Sequence, residues 1–96
     1  MMPPYKFLIS IVSHNDWTDV RSLLLQLSRI VDNSVFIVVT VNVPEQIDDD
    51  FVFEACGLDF IHNSRPKSFA ENHNLAFKMV ESEYFLVCNP DIKVFD

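Results

Sequence analysis

The chain has 96 residues, of which 49% are hydrophobic, 12% aromatic and 22% charged, and its formal net charge is −7. This composition excludes intrinsic disorder, and the length predicts one domain, spanning residues 1–96, around a single core. Seven basic residues stand against fourteen acidic ones, which argues against nucleic acid as a partner because phosphate backbones are held by clustered Lys and Arg. A phosphate compound would need another source of positive charge, and this points to a bound cation.

The cysteines and the N-terminal residues bear on the cellular compartment of the protein. Cys56 and Cys88 form no CxxC motif, and Cys88 lies in an apolar run where a free thiol behaves as a small hydrophobe. The first residues lack the basic and apolar regions of a signal peptide, and no apolar run approaches the ~20 residues that span a bilayer. We expect a soluble, reduced, cytoplasmic protein, with peripheral attachment at the inner membrane face as an alternative.

The first half of the chain predicts a strand, a helix and a second strand. Residues 7–12 form an apolar run typical of a strand buried on both faces. Asn15 or Asp16 is a candidate cap for the helix that follows, with Asp19 in its first turn. Apolar side chains recur along this helix at helical spacing: Trp17, Val20, Leu23, Leu24, Leu27, Ile30 and Val31. Residues 35–43, rich in Val and Ile, predict the second strand.

The second half predicts a loop, a strand, a helix and a final strand. Residues 44–50 are polar, and we interpret the acidic run 48–50 as solvated charge. Residues 51–56 fit either a helical turn or an irregular packed segment, and residues 58–62 predict the third strand. Ser68 and Glu71 predict a capping box that opens a helix through about residue 82. Residues 83–89 predict the fourth strand, which Pro90 ends.

Alternating strands and helices predict a parallel sheet covered on both faces, a three-layer α/β/α Rossmann-like fold. The first and fourth strands are the most apolar, and right-handed crossovers then give the strand order 3-2-1-4. Such a sheet binds ligands at the carboxyl ends of its strands, beside the switch point between strands 1 and 4. Gly57 is the only glycine, so the Gly-rich phosphate loops of dinucleotide-binding and P-loop proteins are excluded.

Three short segments are expected to meet at this switch point: residues 13–15, 40–42 and 89–91. The helix after strand 1 opens with Asp16 and Asp19, whose carboxylates would repel a phosphate that a bare helix end attracts. A pyrophosphate there would have to be held by Mg²⁺ or Mn²⁺, which accept one or two carboxylates and complete their shell with phosphate and water. Asp91 is then the candidate ligand; the alternative is that Asn-Pro-Asp is only a turn after the strand.

Five segments follow one another along the chain: FLISIVSHN, an amphipathic helix, VFIVVTVNVPE, FIHNSRPKSFAENHNLAF and YFLVCNPDIKV. In this order they resemble the family 2 glycosyltransferases, most closely the rhamnosyltransferase-like members, whose fourth strand ends in Asn-Pro-Asp. The resemblance covers essentially the whole chain but only about the first third of a typical member. It implies a GT-A fold that binds a UDP- or dTDP-linked nucleotide-diphospho-sugar through Mg²⁺ or Mn²⁺ and serves a glycan or lipid-linked acceptor.

The resemblance also implies roles for single residues. Asn89-Pro90-Asp91 occupies the place of the Asp-x-Asp motif, which makes Asp91 a metal ligand and Asn89 a contact to the ribose or to a metal-bound water. His14 matches the aromatic position of the Thr-Tyr-Asn signature, where a ring stacks on uracil or thymine, and Asn15 matches its last residue.

The chain departs from the family pattern at two places. The base-binding Asp after strand 2 is replaced by Thr40, so Thr40 or Asn42 would have to supply a neutral hydrogen bond. A Gly-Phe-Gly-like stretch is replaced by residues 68–71, Ser-Phe-Ala-Glu. Asn72 and Asn74 keep the polar character of the turn that follows this stretch, unless they face solvent or satisfy backbone groups at strand ends. The expected nucleotide-binding residues are Ser13, His14, Asn15, Thr40, Asn42, Asn63, Asn74 and Asn89.

These observations predict the donor-binding portion of a glycosyltransferase. Inverting family members use a carboxylate base well after Asp-x-Asp, so we assign no catalytic residue and expect the 96-residue chain alone to be inactive. Two alternatives are a non-catalytic nucleotide-binding module and an interaction fragment that associates through an exposed strand edge; on either view we expect a homo-oligomer. A phosphorylation receiver is excluded because Asn63 ends the third strand where an Asp is required.

Overall fold

The computed structural model describes residues 3–48 and 50–94 and contains four strands and two helices. In chain order these elements are β1 (Tyr5–Ser13), α1 (Trp17–Leu27), β2 (Val35–Val41), β3 (Gly57–His62), α2 (Phe69–Phe77) and β4 (Ser82–Cys88). All strand pairs are parallel, and the sheet has the order β3-β2-β1-β4. The predicted fold class and strand order are therefore confirmed.

The register brings the carboxyl ends of the strands to one edge of the sheet. Ser13 of β1 pairs with Val41 of β2, and Val41 pairs with His62 of β3. On the other side of β1, Ile11 pairs with Cys88, the last residue of β4. The loops after β1, β2, β3 and β4 consequently leave the sheet on the same side.

The two helices cover opposite faces of the sheet, because neighbouring residues of a strand point to opposite sides. The buried face of α1 packs on Ile9, Ile11 and Ile37. Ala76 of α2 packs with Leu8 of β1 and with Val38 of β2. Most of the core lies on the α1 side, which residues of the long β2–β3 connection also cover.

Both helices are shorter than predicted. Helix α1 ends at Leu27, and Ile30 is 51% exposed, so the prediction that Ile30 belongs to the apolar face of this helix is wrong. Helix α2 ends at Phe77 instead of near residue 82, because the N–H groups of residues 78 and 79 bond carbonyls three residues back and tighten the last turn. Its predicted capping box between Ser68 and Glu71 is confirmed.

Gly57, the single glycine, begins β3 beside a ring of the neighbouring strand. A Cβ atom at this position would lie 2.5 Å from Cδ2 of Phe36, which pairs with Gly57 in the register. The residues before it, 51–56, contain no regular element, which agrees with the irregular packed segment that was one of the two expectations. Phe51, Phe53 and Cys56 of this segment pack on the α1-side core.

Candidate functional site

A polar cleft lies between the start of α1 and the segment after β4, at the predicted switch point. Its volume is about 370 Å³, and it is lined by Asp16, Asp19, Asn89, Pro90 and Asp91. Three carboxylates thus face one cleft whose lining contains no basic side chain. Lys93 lines an adjoining cavity that shares Asp19 and Asp91 with this cleft, but the three carboxylates outnumber it, so a cation is favoured over an anion there.

The segment after β4 is a turn that displays two polar side chains. The N–H of Ile92 donates to the carbonyl of Asn89 at 3.2 Å, which closes a four-residue turn with Pro90 at its second position, where its fixed φ is favourable. Asn89 and Asp91 are exposed on this turn. The N–H of Val94 then donates to Oε1 of Gln26 at 2.7 Å, which fastens the segment to α1 beside the cleft.

The residues present suit a divalent cation that takes much of its coordination from a ligand. Within residues 3–48 and 50–94, no three His, Cys, Asp or Glu side chains are grouped closely enough to hold a metal by themselves. Mg²⁺ typically keeps several waters and binds through one or two carboxylates plus substrate phosphates. Asp91 is exposed and lines the cleft together with Asp16, and these two carboxylates supply that kind of donor set.

The β1–α1 loop is organised by Glu45, which belongs to the long β2–β3 connection. Oε1 of Glu45 accepts from the N–H of Trp17 at 2.9 Å, and Oε2 accepts from the N–H of Asn15 at 3.0 Å and from the hydroxyl of Ser13 at 2.6 Å. Asn15 has a φ of 62°, a left-handed conformation that Asn tolerates better than most residues. This bend turns three donors of the loop towards one carboxylate.

The prediction that Asn15 or Asp16 caps α1 is confirmed in position only. Asp16 occupies the N-cap position, but its side chain makes no hydrogen bond to the helix. Its Oδ2 accepts from the N–H of His14 at 3.2 Å, while Glu45 satisfies the first N–H of the helix. The acidic run is also more than solvated charge, because Oδ2 of Asp48 bonds Nε1 of Trp17 at 3.2 Å and pairs with Arg21 at 3.0 Å. Asp49 lies outside the described residues.

A hydrogen-bonded group of three asparagines lies at the ends of β2 and β3. Nδ2 of Asn63 donates to Oδ1 of Asn42 and to Oδ1 of Asn72, both at 2.8 Å. Asn42 also bonds both polar groups of the Lys67 backbone, and its Nδ2 lies 3.1 Å from Nδ1 of the exposed His14. All three asparagines are buried. Asn42 and Asn63 therefore hold the ends of β2 and β3 and the connection before α2 together instead of facing the cleft.

Other predicted nucleotide-binding side chains are also withdrawn from the crevice. Thr40 is 1% exposed, and its Oγ1 has no hydrogen-bond partner. It shares the face of β2 that carries Val38, so it lies under α2. Ser13 is fully buried with its hydroxyl bonded to Glu45. Asn74 is exposed on α2, whose buried residues are Asn72, His73 and Ala76.

The structure therefore brings together only part of the predicted set. Asn89 and Asp91 share the cleft with Asp16, and His14 and Asn15 lie in the loop that precedes the cleft wall. The sequence interpretation missed Glu45 and Lys67, which hold this loop and the adjoining strand ends. Asn72 fits the alternative given for it, because its buried Nδ2 donates to the backbone carbonyl of Lys67 at 3.3 Å. No local spacing indicated Glu45, because its bonds reach residues 28 to 32 positions away.

A separate buried polar pair lies under α2. Oγ of Ser10 lies 2.7 Å from Nδ1 of His73, and both residues are buried. Burial lowers the pKa of His73, and the ring of Phe69 packs edge-on against it at 4.4 Å. The two polar groups are thus satisfied by each other between β1 and α2, and their hydrogen bond joins the strand to the helix.

The two cysteines are free thiols, and burial raises the pKa of both Cys56 and Cys88. Both are therefore held as uncharged thiols at neutral pH, which makes them poor nucleophiles and metal ligands. Neither helix in the described ranges is long and apolar enough to cross a membrane.

Comparison with known proteins gave no relatives. No protein-family model matches the chain, no curated protein matches it, and no solved structure matches its fold significantly.

Proposed function

We propose that this chain binds a nucleotide-diphospho-sugar through a divalent cation and forms the donor-binding portion of a glycosyltransferase. The observation that carries the proposal is the cleft at the switch point, where the Asn89-Pro90-Asp91 turn faces the carboxylates of Asp16 and Asp19. Doubly wound sheets bind their ligands at this position. A cleft with three carboxylates and no basic lining residue favours a cation first and a phosphate through it.

The arrangement along the strand ends supports an extended ligand rather than a free metal ion. The acidic cleft lies towards β4, and the contact between His14 and Asn42 lies towards β2, on the other side of β1. A nucleoside diphosphate has two chemically different ends, so its diphosphate would lie at the cleft and its base near His14. In the proposed assignment Asp91 holds Mg²⁺ or Mn²⁺ and Asn89 contacts the ribose or a metal-bound water.

Calorimetry with UDP tests this proposal. We expect weak UDP binding in the presence of Mn²⁺, loss of that binding in EDTA, and loss of it in Asp91→Ala. Asp59→Ala is the matched control, because Asp59 is equally acidic and exposed but lies on β3, outside the cleft lining. Equal UDP affinity in Mn²⁺ and in EDTA, or in Asp91→Ala and wild type, would contradict the proposal.

A non-catalytic nucleotide-binding module would give the same calorimetry. Transfer of sugar from UDP- or dTDP-linked donors, assayed with the protein expressed from its complete reading frame, separates that alternative from a glycosyltransferase. The interaction-fragment alternative is favoured by a different observation, the exposed apolar edge of β4. It predicts self-association with no nucleotide binding at all.

A further inference from the structure

One face of α1 lies against the segment that follows β4, across a cavity of about 150 Å³. The helix lines this cavity with Asp19, Ser22 and Gln26, which recur at steps of three and four residues and therefore share one face. The segment lines it with residues 90–93. Because the cavity shares Asp19 and Asp91 with the acidic cleft, the position of the segment relative to α1 also sets how close these two carboxylates come.

The half-buried side chain of Gln26 joins this face of α1 to the far end of the segment. Its Oε1 accepts from the N–H of Val94 at 2.7 Å, a hydrogen bond between residues 68 positions apart. An N–H group can only donate, so the atom of Gln26 that faces it must be the oxygen. Nε2 then points back along the helix and donates to the carbonyl of Ser22 at 3.3 Å. Both ends of the amide are engaged, and its orientation is therefore determined.

The segment 89–94 is held at both ends, and Asp91 lies between them. At one end a hydrogen-bonded turn closes directly after β4. At the other end Val94 is bonded to Gln26, and its side chain packs on the α1-side core. The three carboxylates of the cleft repel one another, which favours positions of the segment further from α1. The bond between Gln26 and Val94 opposes this repulsion.

We propose that Gln26 is a positioning residue for the cation site: by holding Val94, it keeps Asp91 beside the carboxylates of Asp16 and Asp19. The proposal rests on the function proposed above, because the spacing of these carboxylates matters only if the cleft binds a cation. Without the bond, the segment would occupy the binding position in only a fraction of the molecules, and the apparent affinity would fall by that fraction. Gln26 itself acts through the backbone of Val94 and not through the ligand.

Calorimetry with UDP and Mn²⁺ tests this role. Gln26→Leu removes the acceptor and keeps a side chain of similar helix propensity. We expect this variant to bind roughly 2- to 10-fold more weakly than wild type, the worth of one neutral hydrogen bond. Ser22→Ala is the matched control, because Ser22 lines the same cavity but its hydroxyl has no hydrogen bond to the segment within residues 3–48 and 50–94. It should bind as wild type does.

Gln26→Glu is the rescue variant, since it restores an acceptor of the same reach. It should bind at least as tightly as wild type, with circular dichroism showing that both variants at this position are folded. Affinity unchanged in Gln26→Leu, or weakened equally in Gln26→Leu and Gln26→Glu, would overturn the proposal. UDP binding that requires Asp91 but not Gln26 would overturn this proposal alone, whereas absence of UDP binding by wild type would overturn the proposed function as well.

The hydrogen bond can also be observed without any nucleotide. Amide hydrogen exchange followed by NMR should show the N–H of Val94 protected in wild type and in Gln26→Glu, and unprotected in Gln26→Leu. The charge of Glu has little effect on exchange by itself, so this measurement separates the acceptor from the added charge. A Val94 amide that exchanges in wild type as fast as in an unfolded peptide would overturn the proposal whatever the binding data.

Discussion

Oε1 of Glu45 accepts a 2.9 Å hydrogen bond from the backbone N–H of Trp17, the first residue of α1. A carboxylate from a distant loop thus occupies the helix end that parallel α/β proteins commonly offer to a ligand phosphate. The other oxygen of Glu45 is also engaged, by Ser13 and Asn15. A phosphate arriving at this crevice finds the first N–H of α1 already bonded to a carboxylate, which is a second reason, beside Asp16 and Asp19, to expect that it needs a cation.

Glu45→Ala should lower the free energy of unfolding by about 1–3 kcal/mol, because it removes a helix cap and hydrogen bonds to a charged group. Urea denaturation followed by circular dichroism measures this change. Gln46→Ala, one residue along the same loop and exposed, is the matched control and should stay within about 0.5 kcal/mol of wild type. Equal stability of the two variants would mean that Glu45 does not hold the β1–α1 loop in solution.

Asn63→Ala should also destabilise the protein, by about 1–3 kcal/mol, because it removes the donor to the buried Oδ1 of Asn72 and one of the two donors to Oδ1 of Asn42. Asn33→Ala is the matched control, since Asn33 is exposed in the turn before β2. The same urea experiment reports both variants. If Asn63→Ala were as stable as Asn33→Ala, the network at the ends of β2 and β3 would contribute nothing to the free energy of unfolding.

Stability should fall as the pH decreases from 7 to 5, and His73 should account for part of this fall. Burial lowers the pKa of His73 in the folded chain, so below about pH 6.5 the unfolded chain binds a proton that the folded chain refuses. The stabilisation is complete above the unfolded pKa and is lost progressively below it. Hydrogen bonds with Ser34 lower the pKa of Asp32, and hydrogen bonds with Ser68 lower the pKa of Glu71. These two carboxylates therefore change the stability only at more acidic pH.

Urea denaturation at several pH values, with wild type and His73→Gln, measures this dependence. The stability difference between the two proteins should shrink as the pH falls, because Gln does not titrate. Asn74→Gln, on the exposed side of the same helix, should keep the wild-type pH profile. A difference between wild type and His73→Gln that is independent of pH would show that His73 does not carry the effect.

The sheet could be predicted from the sequence because its signals are local. The runs around Ile9 and Ile37 are apolar over whole strands, and such runs indicate strands buried on both faces. Ser68 and Glu71 lie three residues apart, so their capping box could also be predicted from the sequence. Helix ends were less predictable, because Ile30 keeps the apolar spacing of α1 although the chain has already left the helix.

The candidate site was only partly predictable, because several of its hydrogen bonds join residues that are distant in the sequence. The cleft between Asp16 and Asp91 follows from the strand order and the sequence positions alone. The bonds of Glu45 to β1 and α1, and the burial of Thr40 under α2, depend on how a long connection and a helix pack. The side chain of Asn42, which was predicted to contact a ligand, is instead buried and bonded to Lys67 and Asn63. Buried polar groups at the strand ends need hydrogen-bond partners, and Asn42 supplies them.

The outer edge of β4 is the surface where we expect a second copy of the chain to bind. In the part of the chain that the structure describes, β4 pairs on one side with β1 and has no strand on its other side. Three of its apolar side chains are exposed, Tyr84 by 50%, Leu86 by 42% and Val87 by 43%. Natural sheet edges are usually protected by charges, prolines or bulges, whereas this run carries a single charge, Glu83.

Two copies related by a two-fold axis would pair their β4 strands antiparallel and satisfy both edges at once. The partner strand would also approach an apolar cavity of about 280 Å³ on the α1 face, which Leu86 and Cys88 line beside the end of α1. We therefore expect a dimer in sedimentation velocity at micromolar concentration, and a monomer for Val87→Lys, because a charge on an exposed edge residue opposes pairing.

Val52→Lys is the matched control: Val52 is 69% exposed on the β2–β3 connection, so the same substitution should leave the dimer intact. Since both sites are exposed, both variants should fold, and circular dichroism checks this. A wild-type protein that stays monomeric at high micromolar concentration, or a dimer that Val87→Lys does not weaken, would rule out pairing through β4.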